Sequence, residues 1–187
     1  MLDDTQQQTL LTLARQSINH GLSHNAVLEI SPGDYDKHLK QDLACFVTLT
    51  INQRLRGCIG HLIAIQPLVK DVVENAYAAA FKDSRFKPVN KDEFSDIHIE
   101  ISVLSIPQKM TFTSEADLLQ QIQPGIDGLI LTDGFKRGTF LPSVWEQLPD
   151  KLQFWKQLKN KAGLATDHWS ESLSVERYRT FAFEESH

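Results

Sequence analysis

Two periodicities organise this chain. Leu10, Leu11, Ala14, Ile18 and Leu22 recur at helical spacing behind Asp3, Asp4 and Thr5, which supply capping oxygens and favourable charge. They predict an amphipathic helix ending near Gly21. Cys45 to Ile51 alternates apolar and polar positions, and Ile97, Ile99, Ile101 and Val103 alternate with His98, Glu100 and Ser102, so both segments read as half-buried strands. Asn52 and Gln53 separate the first strand from Arg54 to Gly60, which predicts a hairpin with a tight turn. After Pro67, which a first helical turn tolerates, Leu68, Val72, Ala76 and Ala79 continue at helical spacing.

The C-terminal half repeats this alternation of signals. Ser114-Glu115-Ala116-Asp117 resembles a capping box opening a short helix that Pro124-Gly125 closes. Gly128 to Thr132 and Phe135 to Leu141 flank an Asp133-Gly134 turn as a second hairpin. Pro142 begins a helix through Trp145 and Leu148, Asp150 caps another that stops at Gly163, and Ser174 to Glu184 reads as one final strand. Because the strand joins are hairpins rather than crossovers, the expected fold class is α+β, a largely antiparallel sheet flanked by helices. Residues 1–187 are expected to form a single domain, with a smaller lobe at about 105–127.

Composition narrows the function classes. At 187 residues, 41% hydrophobic and 23% charged, the chain has enough material for a self-sufficient core. A formal charge of -5 argues against non-specific binding to nucleic acid or an anionic membrane, which needs clustered cations. No apolar run approaches the roughly 18 residues of a membrane span. The polar, acidic N-terminus lacks a secretory pattern, so a cytoplasmic location is expected. There two cysteines, Cys45 and Cys58, are not expected to pair and are too few for a structural metal site.

The chemistry concentrates between Arg54 and His61, where two arginines, a thiol, two glycines and an imidazole lie together. Simple pairing of Ile51 with Arg54 sets Leu49 opposite Arg56 and Val47 opposite Cys58. Arg54, Arg56, Cys58 and Gly60 then share one side, unless a bulge near Gly57 intervenes. Cys58 is the candidate nucleophile, since neighbouring cations lower a thiol's pKa; its other reading is a small buried hydrophobe. Arg56 would steer an anionic substrate, and Gly57 and Gly60 would admit a ligand closely. A cysteine–histidine arrangement would draw on His61 or His98, with Glu100 beside His98. Arg85 either pins its loop through Asp83 or faces a ligand. Lys136 and Arg137 read as a charged hairpin edge or an anion contact. His20 and His24, four residues apart with no third ligand, do not make a zinc site. Nucleotide-binding glycine motifs and a serine nucleophile elbow are absent, so no cofactor is expected.

Several blocks together resemble a known family. Phe46-Val47-Thr48-Leu49, the hexapeptide Leu55 to Gly60 with His61, Ala78 to Phe81 leading to Asp83-Ser84-Arg85-Phe86, Glu100 to Leu104, Thr139 to Pro142 and Lys161 to Leu164 are similar in order and kind to the AMME-syndrome candidate protein family. Its domain is the AMMECR domain, and its prokaryotic members are called AmmeMemoRadiSam system protein A. The resemblance implies an α+β domain with a smaller lobe and a site around the hexapeptide; with the residue reading, the ligand-binding candidates are Arg56, Gly57, Gly60, His61, Arg85 and Glu100. It also implies two partner proteins, one like the metal-dependent dioxygenase-type Memo protein and one radical-SAM protein. It implies no established activity. A binding or substrate-presenting component and an enzyme using Cys58 both stay open. Gln53 departs from the turn glycine of many members.

Overall fold

The computed structural model describes residues 2–186. The chain forms two compact units, one running to Leu104 and resuming at Phe181, the other spanning Ser105–Thr180.

In the first unit, α1 (Asp4–His24) begins with a capping box in which Asp3 accepts from the Gln6 N–H and the Gln6 side chain accepts from the Asp3 N–H. It runs past Gly21 to a left-handed Asn25. Gly21 is a packing position rather than a stop: a Cβ there would sit 2.3 Å from the Phe81 ring. The strands β1 (Cys45–Ile51), β2 (Arg54–Gly60), β3 (Ile97–Leu104) and β8 (Thr180–Glu184) form an antiparallel sheet in the order β2-β1-β3-β8. Both α1 and α2 (Leu68–Phe81) cover one face of it. Val47, Leu49, Ile99 and Ile101 meet Leu10, Ile18, Val72 and Ala76 there in a core closed to water. Ser17 ties the helices together by donating to the Val73 carbonyl, and Arg15 binds the Glu185 carboxylate and the Phe94 and Ile97 carbonyls.

The second unit holds β4 (Gln108–Lys109), α3 (Glu115–Gln121), β5 (Gly128–Asp133), β6 (Lys136–Phe140), α4 (Lys151–Lys161) and β7 (Ser174–Tyr178). Its sheet order is β4-β7-β5-β6. Leu129, Leu131 and Val175 pack against Phe154, Trp155 and Leu158, and Trp145 stacks on Phe154 at 3.6 Å. The buried Lys159 pairs with Glu115, joining α4 to α3. At the hairpin, Asp133 accepts from His168, Ser170 and Ser172, which hold its carboxyl down to about 2.

Three expectations change. Residues 105–127 open a unit that extends to Thr180, because the distant β7 supplies the partner of both β4 and β5. The last strand is two strands broken at Arg179, the first pairing in one sheet and the second belonging to the other. The segment after Pro142 is a 3-10 turn, Pro142–Glu146, rather than an α-helix. No helix among the described residues is long and apolar enough to cross a membrane.

Candidate functional site

The hairpin turns at Asn52 and Gln53, both with positive φ (50° and 63°), which matches the twist of two antiparallel strands. Ile51 pairs with Arg54 and Thr50 with Leu55, but Leu49 then pairs with Gly57, leaving Arg56 as an extra residue in a bulge. Simple alternation therefore fails beyond Leu55. Cys58 faces Thr48 instead of Val47, and Leu55, Cys58 and Gly60 share the face that α1 and α2 leave uncovered. Gly57 and Ile59 turn to the helices, and a Cβ on Gly57 would lie 2.1 Å from the Ala79 carbonyl oxygen. Arg54 falls with them, opposite Ile51, and is exposed at the turn.

The bulge sends Arg56 away from the thiol. Its Nε and Nη2 donate to the two oxygens of Glu93 at 2.8 and 3.1 Å, holding that carboxyl below its usual range. Arg85 is likewise engaged. Its guanidinium forks onto Asp83 at 2.9 and 2.7 Å and donates to the Cys58 carbonyl, while the Cys58 N–H donates to Asp83. The Asp83–Arg85 pair thus satisfies the N–H and carbonyl of Cys58 on edge strand β2 as a neighbouring strand would. Arg85 first, and the Cys58 and Arg85 N–H groups with it, hold the Asp83 carboxyl well below the carboxylate range.

His61 leaves the hairpin on the helix-covered side. Its Nδ1 donates to Asp71 at 2.6 Å. Asp71, 1% exposed, also accepts from the Cys45 N–H, the Cys45 thiol, Asn75 and Gln66. Burial first, and the Asp71 charge second, push the Cys45 thiol well above its ordinary range. This buried cluster was not foreseen. Its signal was a carboxylate and a carboxamide, Asp71 and Asn75, four residues apart inside the apolar stripe of α2.

On the uncovered face, Cys58, Thr48 and Glu100 form one row across β2, β1 and β3. The Thr48 hydroxyl donates to the Cys58 sulfur at 3.3 Å, and Ser102 lies 3.5 Å from Glu100. The Phe46 ring lies over Gly60, which has no side chain to obstruct it; a Cβ there would be 2.4 Å from Phe46 Cγ and from the Cys45 carbonyl oxygen. His98 pairs with Glu184. Among the described residues no histidine is placed at the Cys58 thiol: His61 is on the other face, and His98 is two strands, about 10 Å, away. The structure therefore brings Cys58, Gly60 and Glu100 to one surface, adds Thr48, Phe46 and Ser102, and places Arg56, Gly57, His61 and Arg85 in supporting contacts.

Among the described residues no group of three or more His, Cys, Asp or Glu side chains is placed to hold a metal. His20 and His24 stack on each other at 4.2 Å. Lys136 and Arg137 are exposed on the β5–β6 hairpin.

The comparisons agree with this architecture. A protein of Methanothermobacter thermautotrophicus is 36% identical over 180 residues, covering 95% of this chain and 93% of its own length. One from Methanocaldococcus jannaschii is 37% identical over 155 residues, covering 81% and 77%. The crystal structure of an uncharacterized protein from Pyrococcus horikoshii superposes with a TM-score of 0.78 at 34% identity, over 95% of this chain and 90% of that one. The AMMECR1 family profile matches residues 11–183, and the chain belongs to the AMMECR1 family.

Proposed function

We propose that this protein is a binding or substrate-presenting component that acts with Memo-like and radical-SAM partner proteins, and that the uncovered face around Cys58, Thr48 and Glu100 is the surface it presents. One observation carries this reading. Among the described residues the groups that a Cys58-based reaction requires are not assembled: the thiol's contact is the Thr48 hydroxyl rather than a base, and Arg56 is closed onto Glu93. What remains is a surface across β2, β1 and β3 in which Thr48, Cys58, Glu100 and Ser102 lie beside the apolar Phe46 and Leu55, its edge strand fixed by Asp83 and Arg85. Such a surface suits recognition better than bond making.

The test is capture of purified Memo-like and radical-SAM proteins by the full chain. Cys58→Ser is expected to fold and to retain capture, while Thr48→Arg, which blocks the row, loses it. A folded Cys58→Ser protein that no longer captures either partner overturns the reading and returns Cys58 to a chemical role.

A further inference from the structure

Most half-buried and buried carboxylates of the first unit are matched. Asp71 has its cluster, Asp83 has Arg85, Glu93 has Arg56, Glu185 has Arg15, and Glu74 has Gln66 and Lys70. Glu100 differs. It is half-buried at the centre of the sheet, opposite Thr48, and its contact is the Ser102 hydroxyl at the limit of hydrogen-bonding distance. A carboxylate partly removed from water without a cation is costly to hold. Thr48, Ser102 and Cys58 are neutral neighbours, and His98, the next residue along β3 on this face, is directed to Glu184.

We infer that Glu100 is the recognition point for a lysine or arginine side chain of a partner polypeptide laid across this face. The inference rests on reading the face as the presented surface and names the chemistry it reads. Three features select this occupant. Glu100 supplies the negative charge, with Glu184 further along β3's other neighbour adding to the field. Phe46, one row away on the same face and lying over Gly60, offers an apolar and π surface for the stem of a long cationic side chain. The surface is a sheet face rather than a recess. Two grooves on this unit, one along α1 and one running from the Asn52–Gln53 turn to Thr50, His98 and Glu184, stop short of Thr48, Cys58, Glu100 and Phe46. A small amine needs a concave site that encloses it, whereas a polypeptide covers a flat one.

The experiment is an NMR titration of the nitrogen-15-labelled full chain with tetralysine at low salt. Saturable shifts are expected at the amides of Thr48, Cys58, Glu100 and Ser102. Glu100→Gln should weaken binding by about tenfold or more, the effect of losing a charge-assisted hydrogen bond. Glu29→Gln, an equal charge change at an exposed position, should leave it within about twofold. Shifts mapping elsewhere, or equal weakening by Glu29→Gln, overturn the proposal. So does methylammonium, if it moves the same amides with tetralysine's affinity. Each variant's spectrum reports its folding, and Ser102→Arg replaces Thr48→Arg should the latter not fold. Partner capture kept by Glu100→Gln but lost with the blocking variant overturns the cation inference and leaves the presented face standing. Capture kept by both overturns both.

Discussion

Cys45 and Cys58 stand on adjacent strands of one hairpin, yet the sheet separates them into different chemistry. Cys45 lies on the helix-covered face, fully buried, its thiol and its N–H both bound to Asp71. Cys58 lies on the uncovered face with a hydroxyl for company, and only its backbone is held, by Asp83 and Arg85. The cluster that joins cysteine, histidine, aspartate and asparagine therefore forms around the buried Cys45 and not around Cys58. Its carboxylate is saturated and its sulfur is out of reach of solvent. The polar groups of the covered face converge on the one carboxylate of Asp71, whereas on the uncovered face Thr48 meets Cys58 and Ser102 meets Glu100 in separate pairs.

The largest effect is expected where the buried cluster is broken. Asp71→Ala removes the acceptor of Cys45, Asn75, Gln66 and His61 at once and should cost about 3–5 kcal/mol in urea unfolding, because buried donors are left without partners. In the native wild type, a thiol reagent should label Cys58 and leave Cys45 untouched until unfolding. In Asp71→Ala, Cys45 should label as well. Equal labelling of the two thiols in the wild type would remove the distinction between the faces.

Gly57→Ala attacks the hairpin from the covered side. The added methyl meets a backbone carbonyl of α2 that has no rotamer to yield, so a loss of about 2–3 kcal/mol is expected by the same unfolding measurement. A smaller effect follows from the edge. Asp83→Asn should cost about 2 kcal/mol at neutral pH by weakening a charge-assisted fork. The sign of its pH dependence is fixed. The folded Asp83 carboxyl lies below its unfolded value near 3.9, so its contribution is fully present above that value and is lost as the pH falls toward the folded one. The stability difference between wild type and Asp83→Asn should therefore shrink below about pH 4. A difference that grows on acidification contradicts the pairing.

Periodicity made the main elements legible: α1, α2, β1, β3 and both hairpins follow from spacing, and so does the antiparallel α+β class. What it missed is non-local. The bulge at Arg56 is invisible in the pattern, because an extra residue in one strand shows only against its partner, and that one residue moves Gly57, Cys58, Ile59 and Gly60 to the faces opposite those simple pairing gives them. The extent of the second unit was hidden for the same reason, since β7 pairs far from its own neighbours in sequence. Of the site, Cys58, Gly60 and Glu100 were named from the sequence and do share a surface. Thr48 and Phe46 were read as ordinary strand residues, Arg56 as a ligand group, and Arg85 as either a loop pin through Asp83 or a ligand group. In the structure Arg56 pairs with Glu93 and Arg85 with Asp83, the loop pin that the sequence had offered for Arg85.

The smallest expected effect concerns the turn that sets which thiol faces which way. Gln53 holds a left-handed φ of 63°, a conformation that an L residue with a long side chain adopts at a cost of about 1–2 kcal/mol. Glycine removes that cost but gives the unfolded chain more freedom, worth roughly 0.4–1 kcal/mol in the opposite direction. Gln53→Gly should then stabilise the protein by about 0.5 kcal/mol, read as a small rise in the urea midpoint with an unchanged slope. The register should not move, because a two-residue turn of this type already fixes Ile51 opposite Arg54 and glycine only relaxes it. Labelling of Cys58 and protection of Cys45 should therefore be those of the wild type. If the substitution instead exposes Cys45 or protects Cys58, the register depends on strain at the turn, and the division of the two cysteines between faces is a property of Gln53 rather than of the strands.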